Sequence, residues 1–119
     1  MNSVGGGTGS GFGSRIYEKL SEEYNKKDKL GFIIYPSAKA QTAVTEPYNA
    51  VLATKILREH VNSIIVLDNE ALFDICKEKL KIARPTHTTT NHLTAQFIAT
   101  LTTSLRFNGA LFHDFTDFA

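Results

Sequence analysis

A chain of 119 residues with 42% hydrophobic content is long enough for one globular domain with a real core, and too short for several. A net charge of +1 provides neither a basic surface for nucleic acid nor an acidic tail. The single cysteine, Cys76, excludes an internal disulfide; no apolar run reaches membrane length and no signal peptide is visible, so a cytosolic protein is expected.

In chain order, a strand end over Met1–Val4 leads into "VGGGTGSGFGS", Val4 to Ser14, which holds six of the eight glycines. Phe12, Ile16, Leu20 and Tyr24 then recur every four residues and predict a helix with that stripe turned inward. Glu22 with Lys26, and Glu23 with Lys27, add favourable pairs on its outer face. "KLGFIIYP", Lys29 to Pro36, reads as a buried strand stopped by proline, and Ser37 to Thr45 reads as loop. Glu46-Pro47 opens a helix that runs through Val51, Leu52, Lys55 and Leu57 to about His60.

"SIIVLD", Ser63 to Asp68, is a short apolar strand of the kind found in parallel sheets. Asp68-Asn69 caps a helix with Leu72, Ile75, Cys76 and Leu80 on its inner face. "ARPT" breaks the chain. A longer helix follows from about Thr86 to Phe107, with Leu93, Phe97, Leu101 and Leu105 on one stripe and Asn108-Gly109 at its end. Strands alternating with helices predict α/β architecture with a mostly parallel sheet. Two or three strands are few for such a sheet, so a piece of a larger domain is expected.

The glycine cluster fits neither of two well-known phosphate motifs. A P-loop needs Lys-Ser/Thr after its last glycine, but Phe12 and Ser14 follow Gly11 and Gly13. G-x-G-x-x-G fails because Phe12 or Ser14 stands where the third glycine belongs, which leaves a dinucleotide-dependent oxidoreductase without support. The physics common to both motifs survives. Glycines at a helix start let an anion approach main-chain N–H groups that have no partner inside the helix. Thr8 and Ser10 offer hydroxyls, and in the absence of a lysine a cation such as Mg²⁺ would balance the charge. A flexible linker or an ordinary tight turn satisfies the same composition.

"GGGTGSG", Gly5 to Gly11, resembles the tubulin signature loop. "VTEPYNAVL", "LDNEALFDIC", "RPT" and "SLRFNGAL" resemble tubulin blocks in the same order and spacing, and together they cover essentially the whole chain. On these blocks the chain is identified as a member of the tubulin family. Lys26-Lys27, Tyr35-Pro36, Thr42-Ala43, Arg84-Pro85-Thr86, Asn108 to Leu111 and the acid at 117 resemble the alpha pattern, whereas Ser37, Lys39 and Leu72 lean toward beta. The resemblance implies an α/β fold, part of a Rossmann-like nucleotide-binding domain. Residues 1–107 would lie in that domain, with 86–107 as its core helix, and 108–119 would face a neighbouring subunit. It also implies GTP with Mg²⁺, a beta-tubulin-like partner in heterodimer and protofilament, microtubule-associated proteins as further partners, and a place in the cytoplasmic cytoskeleton.

Carried over residue by residue, the resemblance puts Ser3, Gly6, Gly7, Thr8 and Gly9 around the phosphates and Thr42 near phosphates and ribose, beside Gln41 where a serine is usual. Glu46 matches the ribose-binding glutamate; alone, it is equally a first-turn acid favoured by the helix dipole. Asn69 and Asn91 match the guanine-reading asparagines, since an amide offers both donor and acceptor. His87 stands where the family stacks a tyrosine on the base. His60, His92 and His113 have no metal-ligand spacing. Asp117 matches the carboxylate that activates water on the next subunit's nucleotide, with Asp114 on the same helical face. Aspartate is shorter than the family's glutamate, and Phe112 replaces an asparagine. With Gln41 and His87, these departures keep open a second reading, a divergent structural paralogue without hydrolysis. Taken alone, the 119 residues are expected to be inactive.

Overall fold

A computed structural model describes residues 1–37, 43–109 and 117. The chain divides into two compact units, one of residues 1–68 and one beginning at Asn69. No helix among the described residues is long and apolar enough to cross a membrane.

The first unit contains β1 (Asn2–Ser3), a π-helical turn at Thr8–Phe12, α1 (Gly13–Glu23), β2 (Leu30–Tyr35), α2 (Glu46–His60) and β3 (Ser63–Asp68). The strands form one parallel sheet in the order β1-β2-β3, with Ile33 beside both Asn2 and Val66. This is the expected α/β arrangement: each strand-to-strand step crosses over through a helix. The core joins Val4 and Ile33 of the sheet region to Ala50, Ala53 and Leu57 of α2 and to Val61, with Tyr17, Tyr35 and Ile64 packed against it. Ile33, Leu57 and Val4 are almost wholly enclosed, each worth about 1.5–3 kcal/mol of burial. Small residues at Ala50 and Ala53 let α2 lie close on the strands.

The stripe expected to bury α1 does not do so. Phe12 is 65% exposed and Tyr24 54%, and Ile16 and Leu20 are also in the open. A column of small residues and one tyrosine faces inward instead: Ser10 is buried, and Gly13, Ser14, Tyr17 and Ser21 are half-buried. Two observations explain the rotation. Tyr17 Oη donates to Asn2 Oδ1 at 2.7 Å, and a Cβ on Gly13 would sit 3.0 Å from Asn2 Nδ2. Close approach to β1 and a hydrogen bond across it therefore decide which face of α1 turns in.

The second unit contains α3 (Asn69–Glu78), α4 (His87–Leu101) and α5 (Thr103–Arg106). Cys76, Thr90 and Thr94 are buried among its described residues, whereas Ile75, Leu80, Phe97 and Leu105 of the expected inner stripes are exposed. Threonine tolerates burial at position 90 because its hydroxyl donates to the His87 carbonyl at 3.0 Å, leaving the methyl to pack. A reciprocal capping box between Thr86 and Thr89 starts α4. The single helix expected to reach Phe107 is interrupted at Thr102. There Thr103 Oγ1 and the Arg106 guanidinium both donate to the Ala99 carbonyl, and Thr102 Oγ1 takes that of Ile98. Three side-chain donors on two adjacent carbonyls compete with the backbone ladder and end it.

Candidate functional site

The glycine loop leaves β1 and becomes helical earlier than its composition suggests. Gly7 already has φ −61° and ψ −41°. The Ser10 amide donates to the Gly6 carbonyl at 3.0 Å, so the amides of Gly7, Thr8 and Gly9 lead the helix without an acceptor inside it. None of the described glycines has positive φ, so none is required for a left-handed turn. Space explains them better. A Cβ at Gly9 would lie 1.8 Å from the Ser3 carbonyl oxygen, which is impossible without moving β1. At Gly6 and Gly7 a Cβ would meet nothing within 4 Å, so the face over the free amides is open.

The loop is held from both sides. Asn2 Nδ2 donates to the Gly9 carbonyl at 2.9 Å while Asn2 Oδ1 receives the Tyr17 hydroxyl, a relay from α1 through β1 to the loop. Burial raises the Tyr17 pKa above the ordinary phenol value. From α2, Asn49 Nδ2 donates to the Gly5 carbonyl at 3.0 Å, and the Glu46 side chain packs 3.6 Å from the position of a Gly5 Cβ. Ser3 Oγ accepts from the Gly5 amide at 3.4 Å. One expectation is corrected here. Ser10 is not a ligand donor, because it is buried and its hydroxyl donates to the Gly6 carbonyl at 2.8 Å; Thr8 remains exposed.

The first unit thus brings together Ser3, Gly6, Gly7, Thr8, Gly9 and Glu46. Thr42 lies outside the described residues. The donor set is main-chain amides with hydroxyls at the edge, which suits an anion. Among the described residues no group of three or more His, Cys, Asp or Glu could hold a metal ion.

In the second unit, Asn69 is the first residue of α3 and is half-buried, His87 is the first residue of α4, and Asn91 follows one turn later. His87 and Asn91 are both exposed on one helical face. The His87 ring meets Phe73 edge to face, with centroids 5.5 Å apart and planes at 80°. Since Phe73 stands four residues after Asn69, and Asn91 four after His87, the ring pair joins the two columns. Asp114 lies outside the described residues, and Asp117 is exposed.

Three structural contacts were not read from the motifs: Asn49 with the Gly5 carbonyl, Phe73 with His87, and Asn2 with Tyr17. Helical spacing carried a usable signal for two of them. Asn49 is three residues after Glu46, and Phe73 is four after Asn69. Nothing local linked Asn2 to Tyr17, fifteen positions apart.

The family model described as "Tubulin/FtsZ family, GTPase domain" matches residues 1–77, a stretch that contains the whole loop, Glu46 and Asn69. The chain belongs to the Tubulin/FtsZ family. It is 58% identical over 118 residues to the "Tubulin alpha-2 chain" of Eleusine indica. It is 59% identical, again over 118 residues, to the "Tubulin alpha chain, nucleomorph" of Guillardia theta. Each alignment covers 99% of this chain and 26% of the relative, so the chain spans about a quarter of the length of these tubulin relatives. Both relatives are alpha chains, in agreement with the alpha pattern read from the sequence.

Proposed function

We propose that this chain is the nucleotide-binding portion of a tubulin-like GTP-binding subunit that assembles head to tail with a beta-tubulin-like partner in the cytoplasmic cytoskeleton. One observation supports the reading most: three helix-leading amides, Gly7 to Gly9, beneath a face on which Gly6 and Gly7 leave no side chain in the way. An anion at that point gains directed hydrogen bonds and the positive end of the helix dipole. Mg²⁺ would be carried by the phosphates and would balance charge that the loop, with no Lys or Arg between Met1 and Ser14, does not.

In this reading Glu46 accepts from a ribose hydroxyl, Asn69 and Asn91 read the guanine edge, and His87 lies against the base. A head-to-tail contact does not close, so it propagates into a filament. Asp114 and Asp117 of one subunit would orient water on the nucleotide of the next. The catalytically silent alternative rests on Asp117, whose side chain is one methylene short; phosphate release during assembly with a beta-type partner separates the two.

Titration of the isotopically labelled chain with Mg²⁺-GTP, Mg²⁺-ATP and Mg²⁺-tripolyphosphate, read at the loop amides, tests the reading. GTP and tripolyphosphate should both move the Gly6–Gly9 amides, and GTP should bind tighter than ATP. Gly7→Ala should melt like the parent and lose the response, because its methyl enters only the open face. Loop amides unmoved by saturating GTP would overturn the proposal.

A further inference from the structure

We infer that Phe73 is a positioning residue for base recognition: its ring fixes the plane of His87 and thereby the surface offered to the base. The inference rests on the GTP-binding reading above and adds a residue which that reading does not require.

His87 is exposed and stands at the first position of α4, where no earlier helical turn packs against it. Its main chain is nonetheless fixed twice, by the Thr86–Thr89 capping box before it and by the Thr90 hydroxyl on its carbonyl. The ring is different. An exposed imidazole rotates freely unless a neighbour restricts it, and every rotamer it visits unbound must be given up when a base stacks. Phe73 is the aromatic neighbour in place, edge to face at 5.5 Å, the preferred geometry of two aromatic quadrupoles. Phe73 can impose an orientation because it is half-buried on α3, one turn from the fully buried Cys76. It also follows Asn69 by one turn, as Asn91 follows His87. The plane it sets is therefore indexed to both amides.

The test compares Phe73→Leu, Phe73→Tyr and His87→Ala in the full chain, titrated with Mg²⁺-GTP and with Mg²⁺-tripolyphosphate. Losing one aromatic pair corresponds to roughly two- to tenfold in a binding constant. Phe73→Leu should weaken GTP by about that factor, leave tripolyphosphate unchanged, and remove the ring-current shift from the His87 ring protons in the NMR spectrum. Phe73→Tyr should restore both. In a His87→Ala background, Phe73→Leu should have no further effect on GTP. Equal GTP affinity in Phe73→Leu and the parent would overturn the inference. So would parallel loss of GTP and tripolyphosphate, or failure of Phe73→Tyr to rescue, either of which marks a merely structural role. If the parent itself binds GTP no tighter than tripolyphosphate, base recognition is absent, and it is the proposed function that fails.

Discussion

Gly9 and Gly11 lie two residues apart in one loop, yet alanine should have opposite effects at the two sites. A methyl at Gly9 would begin 1.8 Å from the Ser3 carbonyl, so loop and strand must part by more than an ångström. That movement strains two hydrogen bonds, Asn2 Nδ2 to Gly9 O at 2.9 Å and Val4 N to Ile34 O at 3.1 Å. Overpacking costs about 1–3 kcal/mol and each weakened hydrogen bond about 0.5–1.5, so Gly9→Ala should lose roughly 2–6 kcal/mol. A small domain has about 5–15 kcal/mol in total, and unit one would be near unfolding. A methyl at Gly11 meets nothing within 4 Å in a helical segment, and it should gain about 0.5–1 kcal/mol. All four tyrosines, Tyr17, Tyr24, Tyr35 and Tyr48, lie in the first unit and the chain has no tryptophan, so urea titration by tyrosine fluorescence reads that unit alone. Equal midpoints for the two variants would refute the close-approach argument.

Three further outcomes are expected. Lys81 is held at φ 54° just after α3, a conformation that costs a side-chain-bearing residue about 1–2 kcal/mol, so Lys81→Gly should raise stability by up to about 1 kcal/mol in far-UV circular dichroism melts. Tyr17 has a raised folded-state pKa, so its contribution is complete below the unfolded value of 10.0 and is lost as pH rises through the folded one. Tyr17→Phe should therefore lower stability by about 0.5–1.5 kcal/mol at neutral pH and flatten the loss above pH 10 seen by circular dichroism. Ile16→Ser with Leu20→Ser should leave the urea midpoint within about 0.5 kcal/mol, because that stripe is exposed, whereas Leu57→Ala, at 1% exposure, should cost about 2–5 kcal/mol.

Element positions were legible because local signals agreed. The proline after Tyr35, Glu46-Pro47, and the apolar run at 63–68 each marked a boundary that the structure keeps. Facing was less legible. A four-residue apolar period on α1 says which residues share a side, but the side that turns inward was set by a tyrosine-to-asparagine bond and a glycine–strand contact fifteen and eleven residues apart. On α4 the same logic misled: Thr90 and Thr94 took the buried positions, Thr90 with its hydroxyl on the His87 carbonyl, leaving Phe97 outside. What the structure adds to the candidate site is the set of contacts that hold the loop and the His87 ring. Composition pointed to main-chain amides and the block resemblance named the asparagines, but neither said that Asn49 would tie the Gly5 carbonyl or that Phe73 would meet the His87 ring, because both are contacts between segments distant in the chain.

The two candidate surfaces, each taken within its own unit, should consequently answer to mutation in different ways. Main-chain amides have no side-chain identity, so the proposed phosphate cradle could not be abolished by deleting a functional group. It should be lost either by filling its open face, as at Gly7, or by releasing the ties that aim it, Asn2 to Gly9 and Asn49 to Gly5. The proposed base-reading surface is made of side chains, and there the identity of one residue would change the chemistry: an imidazole at 87 presents a smaller face than a phenol, which would place more weight on its orientation. On the proposed reading, an altered residue at 87 beside an intact glycine loop should show itself in discrimination between bases rather than in affinity for the phosphates.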